Sequence, residues 1–321
     1  MVALPLKVDR RNLPIPDSLV QHDSLITAWD RICRVHTMHT SAHAKRGLLI
    51  FGKSGEGKSH LAKTYASLFP AKKTPEKTIK PVFYYRFREA KKSTDDILKL
   101  LIIALGTTPP KGRTEPGELD EQFTRLVQSM EIELLILDEI QQILPKSDCL
   151  TAFNTLKYFC ALLDELNISI VFVGSERAMK LLTLGQADKV AEDNEQLSRR
   201  MLRPVMMNGM EPCTQQWLDC VNWFLSQINV CPLSKKDADL LNRIFIAFTE
   251  RSFSTLESLF LTEDMSNINN TTQLKHKLKE NFYVYGKGDI NPFDSKMLSS
   301  EEVKSTIDIY FRTTETGGIQ C

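Results

Sequence analysis

Eight consecutive residues constrain this chain more than any others: Gly52-Lys53-Ser54-Gly55-Glu56-Gly57-Lys58-Ser59. They fit the pattern G-x-x-x-x-G-K-[ST]. Gly47-Leu48-Leu49-Ile50-Phe51 before them is a short apolar run that reads as a buried strand, and His60 to Phe69 after them reads as a helix. A strand, a glycine turn and a helix in succession bring several backbone N–H groups and the positive end of a helix to one point, which suits a polyphosphate. Gly52, Gly55 and Gly57 allow the backbone to curl through positive φ, where a Cβ would clash. The candidate nucleotide-binding set is therefore Gly52, Ser54, Gly55, Glu56, Gly57, Lys58, Ser59 and His60. Within it, Lys58 would reach the β- and γ-phosphates of ATP, and Ser59 would offer its hydroxyl to Mg²⁺.

The rest of the composition narrows the setting rather than the chemistry. With 321 residues the chain can build one large or two modest domains. A net charge of +1 gives no global pull toward nucleic acid, so any such binding must come from local basic patches. Seven cysteines without a C-x-x-C pair argue against a disulfide framework and against a zinc site. The N-terminal residues lack an apolar leader, and no run is long enough to span a bilayer. The expectation is a soluble protein of a reducing cytoplasm.

Along the chain, residues 1 to about 20 read as an extended arm, and Ser18 to His39 carries apolar residues at helical spacing. Residues 40–46 read as a polar link and 70–80 as a solvated loop. Val82 to Phe87 reads as a second strand. Ser93 would cap a helix to about Leu105, and Glu118 to Met130 reads as another helix. Glu133 to Leu137 and Ile168 to Val173 are apolar runs that read as parallel strands, separated by a helix from Leu150 to about Leu166. A further helix starts at Glu176, and a last strand covers about Val205 to Met207. Strands alternating with helices predict an α/β domain with a parallel sheet covered on both faces. The expected division is an arm and helix over 1–45, the α/β core over 46–210, a helical subdomain over 211–264 and a loosely tied polar tail over 265–321.

Asp138-Glu139 closes the third apolar run, roughly eighty residues beyond Lys58. Asp138 would hold Mg²⁺ through its water shell, and Glu139 would polarise the attacking water as general base. The bland alternative is an acidic turn after a strand. Ser175 stands where a polar sensor of the γ-phosphate is expected, but Ser before Glu176-Arg177-Ala178 is also a plain helix cap. Arginine in the charged stretch Asp193 to Pro204, which precedes the last strand, could complete a neighbouring subunit's site, or simply complement a helix end. Between Lys72 and Lys92, eight basic residues face two acidic ones, a possible phosphate-contacting patch with no groove-reading element.

Taken together, Gly52 to Ser59, Leu134-Leu-Ile-Leu-Asp-Glu139, Val171-Phe-Val-Gly-Ser175 and Gln196-Leu-Ser-Arg-Arg200 resemble the TniB/TnsC family over about residues 20 to 260. The resemblance implies an AAA+ P-loop ATPase, a parallel sheet flanked by helices and followed by a small helical subdomain. It implies ATP-dependent rings or helical filaments on duplex DNA, a hexamer or heptamer among them. It also implies a bridge between a TniQ-type targeting protein and a TnsB-type transposase, CRISPR-guided transposons included. Carried onto this sequence, Ser175 matches the first sensor, and Arg199 or Arg200 matches the arginine finger. Arg251 is the nearest candidate for a second sensor, and the DNA contacts fall on Arg88, Lys91, Lys92, Ser93 and Thr94. A helicase loader of the DnaC/IstB type and a non-catalytic nucleotide-gated scaffold are the alternative readings.

Overall fold

A computed structural model describes residues 10–39, 46–89, 93–110, 115, 117–144, 150–166, 168–183, 197–248, 253–262, 265, 268 and 270–316. The chain divides into two compact units. One comprises Met1–Leu19, Asp23–Lys53 and Gly57–Met207; the other comprises Val20–His22, Ser54–Glu56 and Asn208–Cys321.

The first unit is built on five strands: β1 (Gly47–Gly52), β2 (Val82–Arg86), β3 (Leu134–Asp138), β4 (Ser169–Gly174) and β5 (Val205–Met207). They lie side by side in the order β2-β3-β4-β1-β5, and every pair is parallel. The strands are continuous hydrophobic runs because both faces are buried, and successive side chains alternate between two cores. Leu48, Ile50, Leu134, Ile136, Val171 and Val173 point to one face. There they meet α1 (Asp23–Thr37) and α2 (Lys58–Ser67). Leu49, Leu135, Leu137, Ile170 and Phe172 point to the other. That face is covered by α3 (Thr94–Ala104), α4 (Glu118–Ser129) and α5 (Leu150–Glu165).

Two connections depart from the sequence reading. The solvated loop at 70–80 contains a small antiparallel ladder, Lys72–Lys73 against Thr78–Ile79. The arm is docked over its described part: Arg10–Asn12 forms a 3₁₀ turn, Leu13 and Leu19 are buried, and Trp29 Nε1–H donates to the Leu13 carbonyl at 2.8 Å. Arg10 reaches Glu133, just before β3, where it forms an ion pair.

The second unit is helical: α6 (Gln215–Gln227), α7 (Ala238–Ala247), α8 (Phe253–Phe260), α9 (Thr271–Tyr285) and α10 (Ser300–Thr316). The expected loose tail at 265–321 is corrected here. Leu274, Leu278 and Phe282 of α9, Phe293, and Ile307 of α10 join one core with Trp217, Phe224, Ile244 and Phe260. Composition misled, because apolar residues recur every four positions along α9, at Leu274, Leu278 and Phe282, within a mostly polar sequence. Arg243 explains how the segment is fixed. Its guanidinium is fully buried, bonds Asp239 at 2.7 Å, and donates to the carbonyls of Pro292 (2.5 Å) and Leu298 (2.9 Å).

Candidate functional site

Strand register sets the site. Phe51 pairs with Gly174, Asp138 pairs with Val173, and Arg86 pairs with Asp138. The carboxyl ends of four strands therefore stand along one edge: the glycine loop after β1, Ser175 after β4, Glu139 after β3 and Arg86 at the end of β2. In open parallel sheets this edge is where ligands bind.

The glycine loop takes the conformation its residues predict. Gly55 and Gly57 lie at φ 87° and 81°, and Gly57 caps α2 without a side-chain hydrogen bond. Lys58 opens α2, is buried, and donates from Nζ to the Lys53 carbonyl of the same loop. Ser59 is half-buried and Ser54 exposed, while Glu56 is buried. His60 is exposed and meets the Ser18 carbonyl at 3.2 Å. Within the second unit, the Phe253 N–H donates to the Gly55 carbonyl at 2.9 Å.

The acidic pair is built quite differently at its two members. Asp138 is buried, accepts from Tyr84 Oη at 2.7 Å on Oδ2, and accepts from the Glu139 N–H at 2.8 Å on Oδ1. Burial, then the bond to Asp138, pushes the Tyr84 phenol well above its ordinary value, so it stays a proton donor. One buried carboxylate and one hydroxyl, Asp138 and Ser59, are oxygen donors of the kind that a hard cation would take beside phosphate and water. These residues fit Mg²⁺.

Glu139 sits at φ 57°, ψ 40°, a left-handed conformation that costs a non-glycine residue about 1–3 kcal/mol. That backbone turns its carboxylate out of the strand. Arg86 donates to Oε1 at 2.9 Å, and Gln141 Nε2 donates to Oε2. Burial works against the Arg86 charge, but the bond and charge of Glu139 outweigh it, so the guanidinium holds its proton more firmly than usual. A cavity of about 930 Å³ opens beside this pair, lined in part by Lys63, Tyr84, Arg86, Arg88, Glu139 and Gln142.

At Ser175 the plain-cap alternative is not realised by the side chain, which makes no cap hydrogen bond; its N–H instead donates to Gln141 Oε1 at 3.1 Å. Leu202 N–H donates to the Gly47 carbonyl at 2.7 Å, so the turn over 197–200 is held at the start of β1, at the opposite end from the glycine loop. Arg200 is bound bidentately to Asp164 of the same chain, at 2.7 and 2.6 Å, and that bond holds its proton firmly. The Arg199 side chain is exposed.

Of the basic patch, Lys72, Lys73 and Arg88 are exposed, while three others have partners. Arg86 pairs with Glu139 and Lys77 with Glu131. Lys80 lies 4.7 Å over the Phe83 ring, and burial lowers its proton affinity. Ser93 Oγ accepts from the Asp96 N–H at 3.1 Å as the cap of α3, and Thr94 is that helix's first residue. Lys91, Lys92 and Arg251 lie outside the described residues. Reasoning from sequence missed Tyr84 and Gln141 and counted Arg86 as part of the patch. The only available signal was the period-two register that places Arg86 opposite Asp138.

Comparison with known proteins now decides the family. The model of the bacterial TniB protein family matches residues 15–203, more than half of the chain. The chain belongs to the TniB family. Among solved structures, this TniB-family chain shares its fold with a Walker-type ATPase of Pyrococcus abyssi. That pair is 12% identical with a TM-score of 0.51, over 87% of this chain and 75% of that one. It also resembles the ORC2 protein of Aeropyrum pernix in its ADP form, 14% identical with a TM-score of 0.50, over 79% of this chain and 68% of that one. No curated protein matches the chain. The fold is thus that of AAA+ P-loop ATPases, with a parallel sheet, flanking helices and a C-terminal helical region. Among the described residues, no helix is long and apolar enough to cross a membrane.

Proposed function

We propose that this TniB-family chain is a Mg²⁺-dependent ATPase that assembles on duplex DNA and regulates transposition. The observation that carries the proposal is the strand register, which gathers the Gly52–Ser59 loop, Asp138-Glu139 and Ser175 on one sheet edge. Bound ATP supplies the phosphoryl group and Mg²⁺ offsets its charge. Lys58 and the amides at the start of α2 hold the phosphates, Ser59 and Asp138 hold the cation, and Glu139 orients and deprotonates the attacking water.

Arg199 is the proposed finger. The turn that carries it is tied to Gly47, at the far end of a six-residue strand from the glycine loop. At about 3.3 Å per residue that strand separates the two by roughly 17 Å. An arginine so placed serves the loop of another subunit, which favours a ring or helical homo-oligomer. The bond of Arg200 to Asp164 supports Arg199 for this role.

DNA contact is proposed on backbone phosphates through Arg88, Lys91, Lys92, Ser93 and Thr94, without base readout. Family membership supports a TniQ-type targeting protein and a TnsB-type transposase as partners, with the cytoplasm as the setting. The test is ATP-dependent assembly on duplex DNA, followed by electron microscopy and phosphate release. Lys58→Ala is expected to abolish assembly; intact assembly would overturn the nucleotide dependence. Charge reversal at Lys91 and Lys92 should weaken binding evenly across sequences and lower its salt dependence.

A further inference from the structure

Gln141 lies two residues past Glu139, in the 3₁₀ turn Ile140–Gln142. Its carboxamide has one donating and one accepting end, and both are engaged. Nε2 donates to Glu139 Oε2, and Oε1 accepts from the Ser175 N–H at 3.1 Å. A carboxylate only accepts and an amide N–H only donates, so the two partners fix the orientation of the Gln141 amide between them. Among uncharged side chains of this length, only glutamine satisfies both at once.

A separate feature keeps that space open. A Cβ on Gly174 would lie 2.5 Å from Gln141 Oε1, 2.8 Å from Ala178 Cβ and 3.0 Å from Ile140 Cγ2. Any larger residue at position 174 displaces the carboxamide. The last residue of β4 is therefore matched to the side chain that follows β3. Glu139 itself is in a left-handed conformation, in which its side chain depends on neighbours for direction. Arg86, at the end of β2, holds the other oxygen from the exposed side, so Gln141 is its tie to the Ser175 end of β4.

We propose that Gln141 is a positioning residue for hydrolysis, fixing the Glu139 carboxylate against the Ser175 end of β4. The proposal rests on the reading of Glu139 as the general base. Through Gln141, the segment proposed to sense the γ-phosphate and the group that activates water become one unit: displacement at Ser175 shifts the amide, and the amide shifts the base.

The test uses the full chain with ATP, Mg²⁺ and duplex DNA, reading kcat and KM from phosphate release. Affinity for a fluorescent ATP analogue and the melting temperature are measured alongside. Gln141→Met should lower kcat on the order of 100-fold, the cost of a misplaced reacting group, with affinity and melting temperature unchanged. Gln141→His keeps one N–H and one accepting nitrogen, and should retain most of the rate. Gly174→Ala, which displaces the carboxamide while leaving the glutamine in the sequence, should reproduce the Met variant's split between kcat and KM. Ser175→Ala keeps the N–H, whereas Ser175→Pro removes it at φ −73°, a value proline adopts; the proline variant should be the slower.

A Gln141→Met protein at full kcat overturns the proposal, as does a parallel loss of kcat, affinity and melting temperature in Met and His variants alike. Lys58→Ala and Glu139→Gln are the reference arms. If either hydrolyses ATP at the unmodified rate, the assignment of hydrolysis to this site fails. If both are inactive while Gln141→Met is unimpaired, only the positioning role fails.

Discussion

Strand β3 has a glutamate at each end, Glu133 before Leu134 and Glu139 after Asp138, and the two are treated in opposite ways. Each meets an arginine. Glu133 binds Arg10, whose side chain is 11% exposed, and also His36, which is fully buried. The His36 ring has its Nε2 3.1 Å from Glu133 and its Nδ1 2.9 Å from Tyr65 Oη. Since a carboxylate only accepts, His36 donates from Nε2 and accepts from Tyr65 at Nδ1. Burial, then the Arg10 charge, holds the ring neutral, with proton affinity well below the ordinary value. Glu139 instead binds Arg86, 47% exposed, from a strained backbone and beside an open cavity. The two glutamates are almost equally covered, 22% and 26% exposed, so the contrast lies in their partners, a buried histidine and a mostly covered arginine at one end and an exposed arginine at the other. Identical residue types thus bracket one strand, one tied to the docked arm and α1 and the other proposed as the general base.

Substitutions can break that contrast. The largest effect belongs to Glu139→Gln, which should lower phosphate release by about 10²- to 10⁴-fold while ATP is retained and complexes persist on DNA. The matching Glu133→Gln should leave turnover intact; equal losses would erase the distinction. Next, Glu133→Ala strands Arg10 and His36 and should cost about 2 kcal/mol in denaturant unfolding, whereas Glu139→Ala should cost far less.

The third expectation concerns pH. The proton affinity of His36 is depressed in the folded chain, so its contribution to stability is present above the ordinary value of 6.5 and is lost as pH falls below it. The unfolded state takes up the proton that the folded state refuses. Between pH 6 and 5 unfolding should become easier by up to about 1.4 kcal/mol per pH unit, and His36→Gln should flatten that slope. The smallest effect is that of Arg86→Ala. An exposed pair is worth about 1 kcal/mol at most, so freeing Glu139 should raise turnover without DNA by no more than about fivefold. A fall in turnover would make Arg86 a helper of the base instead of its restraint.

Much of the α/β unit was legible in the sequence because its signals are local. The apolar runs at 47–51 and 134–137, the glycine spacing and the Asp138-Glu139 pair each declare themselves within a few residues. What was hidden is long-range. Arg86 and Glu139 are 53 positions apart and Gln141 and Ser175 are 34 apart, so nothing short of strand register brings them together. The bond of Arg200 to Asp164 spans 36 positions, and no motif includes Asp164. The C-terminal helices were obscured for another reason: their polar composition outweighed a clear four-residue period at Leu274, Leu278 and Phe282.

Arg243 gives that last segment its meaning. Beside its bond to Asp239 on the same helix, a guanidinium sealed from water takes its other partners, two main-chain oxygens and the Ser300 hydroxyl, from about fifty residues later. Cutting the chain anywhere between the two would leave a permanent cation in an oily interior with few oxygens to face. The polar stretch before α10 is therefore a plug for a charged socket, and trimming it would undo the helical unit from within.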